Sequence, residues 1–182
     1  GFVAPFAITI YAFLNFEPDD NGYSFLMDPV NTGLQDFGIH FQMGLNGVSL
    51  PLFCLAGVVG LAAGITAIKS NAKRLPLYLF LLLVMHSGVM GIFASVDLFF
   101  FYFFHEQALI PTFIMIGIWG SEERQIAALE MTIYHTLGAL ISLLGIVALY
   151  LAAGDGVSLS MIDLAIHLAD HPIVENSQKT IF

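Results

Sequence analysis

An all-α, polytopic transmembrane bundle is the fold class this sequence predicts, and three observations carry that expectation. Hydrophobic residues fill 58% of the 182 positions and charged ones only 10%, against the roughly 25% that a water-facing surface needs. The apolar residues fall in runs of about twenty, the length that crosses a hydrocarbon core of roughly 30 Å. Such runs are too long for barrel strands of about ten residues, and a lipid-exposed backbone must satisfy its own hydrogen bonds, so the spans are helices.

Five spans are expected within a single membrane domain, at about 2–16, 44–68, 75–93, 98–119 and 126–152. The first, Phe2 to Phe16, is short for a full crossing and reads as the tail of a longer helix begun before Gly1. With no leading methionine, basic n-region or cleavage site, the chain reads as a fragment or trimmed product rather than one led by a signal peptide. A polar loop over 17–42, rich in Asp, Asn, Gly and Pro, precedes the second span. In that span Gly57, Gly60 and Gly64 lie three to four residues apart, the spacing that lets helices approach closely. The tail, 153–182, is mixed, and its stretch Leu159 to Leu168 has the helical spacing of a short interfacial helix. No internal repeat is visible, which excludes a solenoid.

Charge gives partners and orientation. The formal net charge of −9, with no concentrated basic face, excludes nucleic acid and leaves the lipid bilayer as the surrounding partner. Cys54 is the only cysteine and reads as a packing residue, so neither a disulfide nor a cysteine metal site can form within the chain. Alternating spans put the loops at 69–74 and 120–125 on one side, with Lys69, Lys73, Arg74 and Arg124, and leave only Lys179 elsewhere. That side is expected to be cytoplasmic. Glu17, Asp19, Asp20, Asp28, Asp36, Asp97, Asp155, Asp163, Asp170 and Glu175 fall opposite.

The stretch FFFYFFHEQALIPTF, 99–113, sets an ionisable pair inside one of the most apolar runs. At a rise of about 1.5 Å per residue, His86 lies about 16 Å from the cytoplasmic end of its span, Glu106 about 20 Å and His135 about 14 Å, whereas Glu130 is only about 6 Å deep. Charges at such depth cost about 2.5–3.5 kcal/mol each on insertion scales, so they face a bundle interior and mark ion or proton paths. Glu106 is the leading candidate for a proton relay, with His86, His135 and Glu130 as further candidates. The structural alternative for His86 and His135 is a satisfied interhelical hydrogen bond. His105 is a weaker candidate, since neighbours on a helix diverge by about 100° and it is not expected to share the face of Glu106. Pro111 frees the carbonyl of Gln107 beside the carboxylate and permits a kink. Asp97, at the turn between two spans, reads as a helix cap, and Trp119 suits an interfacial belt. Without HExxH spacing, a glycine-rich nucleotide loop or a ligand quartet, no metal site and no cofactor is expected on this chain.

Three segments, GIHFQMGLNGVSLPL (38–52), FASVDLFFFYFFHEQALIPTFIMIGIWG (93–120) and AALEMTIYHTLGAL (127–140), resemble the M subunit of bacterial NADH:quinone oxidoreductase, the counterpart of subunit 4 in mitochondrial complex I. The likeness runs in order over about 38–152. It implies part of an antiporter-like, proton-pumping subunit with inverted repeats, the present spans being about its second to sixth. It implies that Glu106 is the essential carboxylate, paired with a lysine on a broken helix beyond Phe182. It also implies other membrane subunits of complex I as partners, with NADH, FMN, iron–sulfur clusters and quinone held by partner subunits, in the inner (plasma) membrane of a bacterium. The chain departs from the family at His105, usually Trp, at Asn46, usually Asp, and at Glu130, commonly Lys. A related cation/proton antiporter, a membrane-bound hydrogenase subunit and a non-transporting scaffold are the alternatives.

Overall fold

The computed structural model describes residues 1–34, 38–70, 72–154 and 158–170, with the side chain of Asp170 excepted. Asp36, Asp155, Glu175, Lys179 and the tail beyond 170 lie outside the described residues. The helices are α1 (Val3–Leu14), α2 (Ser49–Lys69), α3 (Leu75–Ala94), α4 (Leu98–Trp119), α5 (Arg124–Ala153) and α6 (Met161–Asp170). Strands β1 (Tyr23–Ser24) and β2 (Leu45–Asn46) form a two-residue antiparallel pair. By length and composition α2, α3, α4 and α5 can each cross a membrane, while α1, with 12 residues, extends only about 18 Å. The fold is an all-α polytopic bundle, and neighbouring helices pack in chain order from α1 to α5.

The glycines of α2 explain how its neighbours seat. A Cβ on Gly57 would collide with Thr9 of α1, one on Gly64 with the Phe2 ring, and one on Gly60 with the imidazole of His86 from α3. Between α3 and α4 the approach is of backbones: a Cβ on Gly88 would lie 3.0 Å from the Phe104 carbonyl oxygen and 3.1 Å from the Ala108 nitrogen. Pro111 is buried within α4 and does not end it.

Local hydrogen bonding sets where α2 begins. The spacing of apolar residues starts this span at Gly44, but the structure starts the helix at Ser49. Gly44 donates its N–H to the Ala94 carbonyl at 2.9 Å, and Leu45 and Asn46 pair with β1. The Asn46 side-chain oxygen then accepts the N–H groups of Val48 at 3.0 Å and Ser49 at 2.7 Å, which fixes the turn leading into the helix.

Asp97 ties the acidic end together. It is fully buried, and it accepts N–H groups from Phe99 at 2.8 Å, Phe100 at 3.3 Å and His40 at 3.1 Å. Around it Val96 donates to the Gln42 carbonyl at 3.1 Å, Leu98 to Leu159 at 2.9 Å and Met161 to Val96 at 2.8 Å. Three segments far apart in sequence are thereby locked at the start of α4. Burial pushes the Asp97 carboxyl above its usual value, and the amide donations of His40, Phe100 and Phe99 offset only part of that. At the opposite end Trp119 donates its indole N–H to the Lys73 carbonyl at 2.8 Å and meets Tyr78 edge-on at 5.0 Å, so the two basic loops adjoin.

Candidate functional site

The helical period puts Phe101, Tyr102 and His105 on the stripe of α4 that faces α5, where Tyr134, His135 and Gly138 line the other wall. Between them lies an open cavity of about 620 Å³. On α4, His105 Nδ1 lies 3.4 Å from Glu106 Oε1, longer than the roughly 2.7–2.9 Å of a tight charged hydrogen bond. The His105 ring stacks on that of His135, with centroids 4.8 Å apart and planes 15° apart. One ligating atom from each of His105, Glu106 and His135 can be chosen so that all three lie within 4.8 Å of one another. A single water molecule can bridge gaps of that size.

His105 therefore does share a site with Glu106, contrary to what angular spacing alone suggests. His105 lines the α4–α5 seam and Glu106 reaches it through its contact with His105, and each keeps about a third of its surface exposed, 39% for His105 and 31% for Glu106. His135 is half-buried, and its Nε2 is buried without a hydrogen-bond partner. His86 stands apart from this cluster, buried on α3 between Gly60 and the Phe2 ring, with its Nε2 also unpartnered. Glu130 is exposed near the start of α5 and has no ion pair among the described residues. Tyr102 and Tyr134, which the sequence reading passed over, line the cavity with hydroxyl-bearing rings. Their signal is spacing: Tyr102 lies four residues before Glu106, and Tyr134 directly precedes His135.

A Glu–His–His constellation between two membrane-length helices is the feature to set against known proteins. Residues 95–181 match the transmembrane family described as NADH:quinone oxidoreductase/Mrp antiporter. The chain is 30% identical over 172 residues to NADH-quinone oxidoreductase subunit M of Rhodobacter capsulatus, covering 94% of this chain and 33% of that protein. The chain is therefore similar to part of that subunit. The chloroplastic NAD(P)H-quinone oxidoreductase chain 4 of Anthoceros angustus is 33% identical over 163 residues, 88% of this chain and 32% of that one. A chain in the structure of respiratory complex I from Thermus thermophilus with bound NADH superposes with a TM-score of 0.83 at 25% identity, over 100% of this chain and 36% of its own. The present chain thus spans about a third of the length of the curated relatives it matches.

Proposed function

We propose that this chain is part of a proton-translocating membrane subunit of an NADH:quinone oxidoreductase, relaying protons through a cluster centred on Glu106. The carrying observation is the convergence of Glu106 with the imidazoles of His105 and His135 on one cleft between two membrane-length helices. A carboxylate and imidazoles within one-water reach of each other are the groups that pass protons by stepwise donation and acceptance. Glu130, exposed near the start of α5, is the entry station in this reading. His86 is a further station, on α3. The neighbours of His86 and Glu106 are joined there, Gln107 donating to the Ser87 hydroxyl at 3.1 Å.

In this reading the basic loops 69–74 and 120–125 face the cytoplasm of a bacterium, with the chain multi-pass in its inner (plasma) membrane. The Trp119–Lys73 hydrogen bond supports a shared side for the two loops. Partner subunits hold the NADH, FMN, iron–sulfur clusters and quinone, and other membrane subunits of the complex flank the chain. The test is Glu106→Gln in the full-length subunit within its assembly. Proton pumping per quinone reduced is expected to collapse while assembly persists, and unchanged pumping in an assembled variant would turn the reading toward a scaffold.

A further inference from the structure

We propose that His105, Glu106 and His135 bind a divalent late first-row metal ion of the Zn²⁺ class across the α4–α5 cleft. Two imidazoles and one carboxylate are the donors that zinc takes in open sites, with a further position left to water. Ligand atoms about 2.0–2.2 Å from a tetrahedral ion sit about 3.3–3.6 Å apart. His105 Nδ1 and Glu106 Oε1 are already at 3.4 Å, and the third donor, on His135, lies within 4.8 Å, a distance that side-chain rotation closes.

Two further observations point to a ligand. Buried polar atoms are almost always bonded, yet Nε2 of His135 has no partner. The cavity of about 620 Å³ against both histidines provides an entry path and room for a water ligand. The electrostatics also favour a cation. Lys69, Lys73, Arg74 and Arg124 all sit at the loop ends of α2, α3 and α5, and among the described residues Glu106 makes no contact with a lysine or arginine. No contiguous motif announces the site, because its ligands lie on two helices, at 105–106 and 135.

A bound ion takes one donor atom from each of the three side chains and so competes with protons for them. The metal site goes beyond the relay reading and does not require it, because binding is measured without turnover. The experiment is equilibrium binding of Zn²⁺ to the assembled, full-length complex, for the natural protein and for His105→Gln, Glu106→Gln and His135→Gln. The natural protein should bind an equivalent of Zn²⁺ whose affinity falls at least about 10-fold in every variant. Zinc-edge X-ray absorption of the loaded natural protein should show imidazole scattering and an all nitrogen and oxygen shell, a readout that stands even where a variant fails to assemble. Absence of binding, a sulfur-ligated or imidazole-free shell, or any assembled variant that keeps its full affinity would overturn the proposal. Pumping lost in Glu106→Gln with no zinc bound would sink the metal site and leave the relay standing.

Discussion

His86 in the α2–α3 seam and His135 in the α4–α5 cleft both carry a buried Nε2 without a hydrogen-bond partner, but their surroundings differ. The imidazole of His86 lies against the bare backbone of Gly60, only 6% exposed, with Phe2 the nearest ring. His135 stacks on His105 at an open cavity, and a donor atom of Glu106 lies within 4.8 Å of both imidazoles. The helices repeat the contrast: 33% of the most apolar window of α2 and of α3 is buried, against 11% for α4 and for α5. A cavity of about 970 Å³ adjoins His86 as well, so the two seams differ in lining: largely apolar side chains of α1, α2 and α3 there, against Tyr102, Tyr134 and two imidazoles between α4 and α5. In the second setting a second imidazole and a carboxylate lie beside the titratable side chain. In the first its immediate contacts are Gly60 and the Phe2 ring.

The contrast depends on α4 being fixed to the packed half, which is the role of Asp97. Asp97→Ala is therefore expected to have the largest effect on stability, about 2–4 kcal/mol, from a lost helix cap and an amide of His40 left without its acceptor. Denaturant unfolding of the full-length protein in detergent measures it, and a cost under about 0.5 kcal/mol would remove Asp97 as the anchor. The same carboxyl sets a pH dependence. Its folded value lies above the reference 3.8, so the native state holds the proton more tightly than the unfolded chain. Its contribution is complete below that reference and is lost as pH rises through the raised value. The natural protein should lose stability relative to Asp97→Asn over that window, and parallel pH profiles would contradict it.

The packed seam is tested next. Gly60→Ala should cost about 1–3 kcal/mol by overpacking against the imidazole of His86. In a His86→Ala background the same change should cost at least about 1 kcal/mol less, because the colliding ring is gone. Equal costs in both backgrounds would mean that the seam relaxes without the histidine and is not closed by shape.

Much of this architecture was legible in the residues. The run that predicts a span at 98–119 is α4 to the residue, and the glycines at 57, 60 and 64 do receive α1 and α3. Periodicity failed where a side chain competed with the helix. Gly44 to Val48 are apolar enough to extend α2, but sheet pairing and the Asn46 side-chain turn take their backbone groups first. The site was legible in its members and not in its grouping. A 100° step between neighbours describes Cβ directions, whereas His105 and Glu106 reach several bonds further and meet in the cleft. The partnership with His135 is a tertiary fact, set by the register of α5 against α4, and no local spacing encodes it.

The smallest effects belong to the open cleft, and they sharpen the comparison most. On α5 a Cβ added at Gly138 or Gly145 meets nothing within 4 Å. Gly138→Ala and Gly145→Ala should therefore change stability by no more than about 0.5 kcal/mol, since neither crowds a neighbour and alanine is the better helix former. Measured in the isolated subunit and again in the assembled complex, the pair separates two origins of openness. Neutrality in both means that the walls stay apart and the cavity remains continuous with its surroundings, as reach by water requires. Neutrality in the subunit with a cost above about 1 kcal/mol in the complex means that a further helix seats on α5 and closes the cleft on assembly. The cluster at His105, Glu106 and His135 would then be a buried site in the working assembly, open only while the chain stands alone.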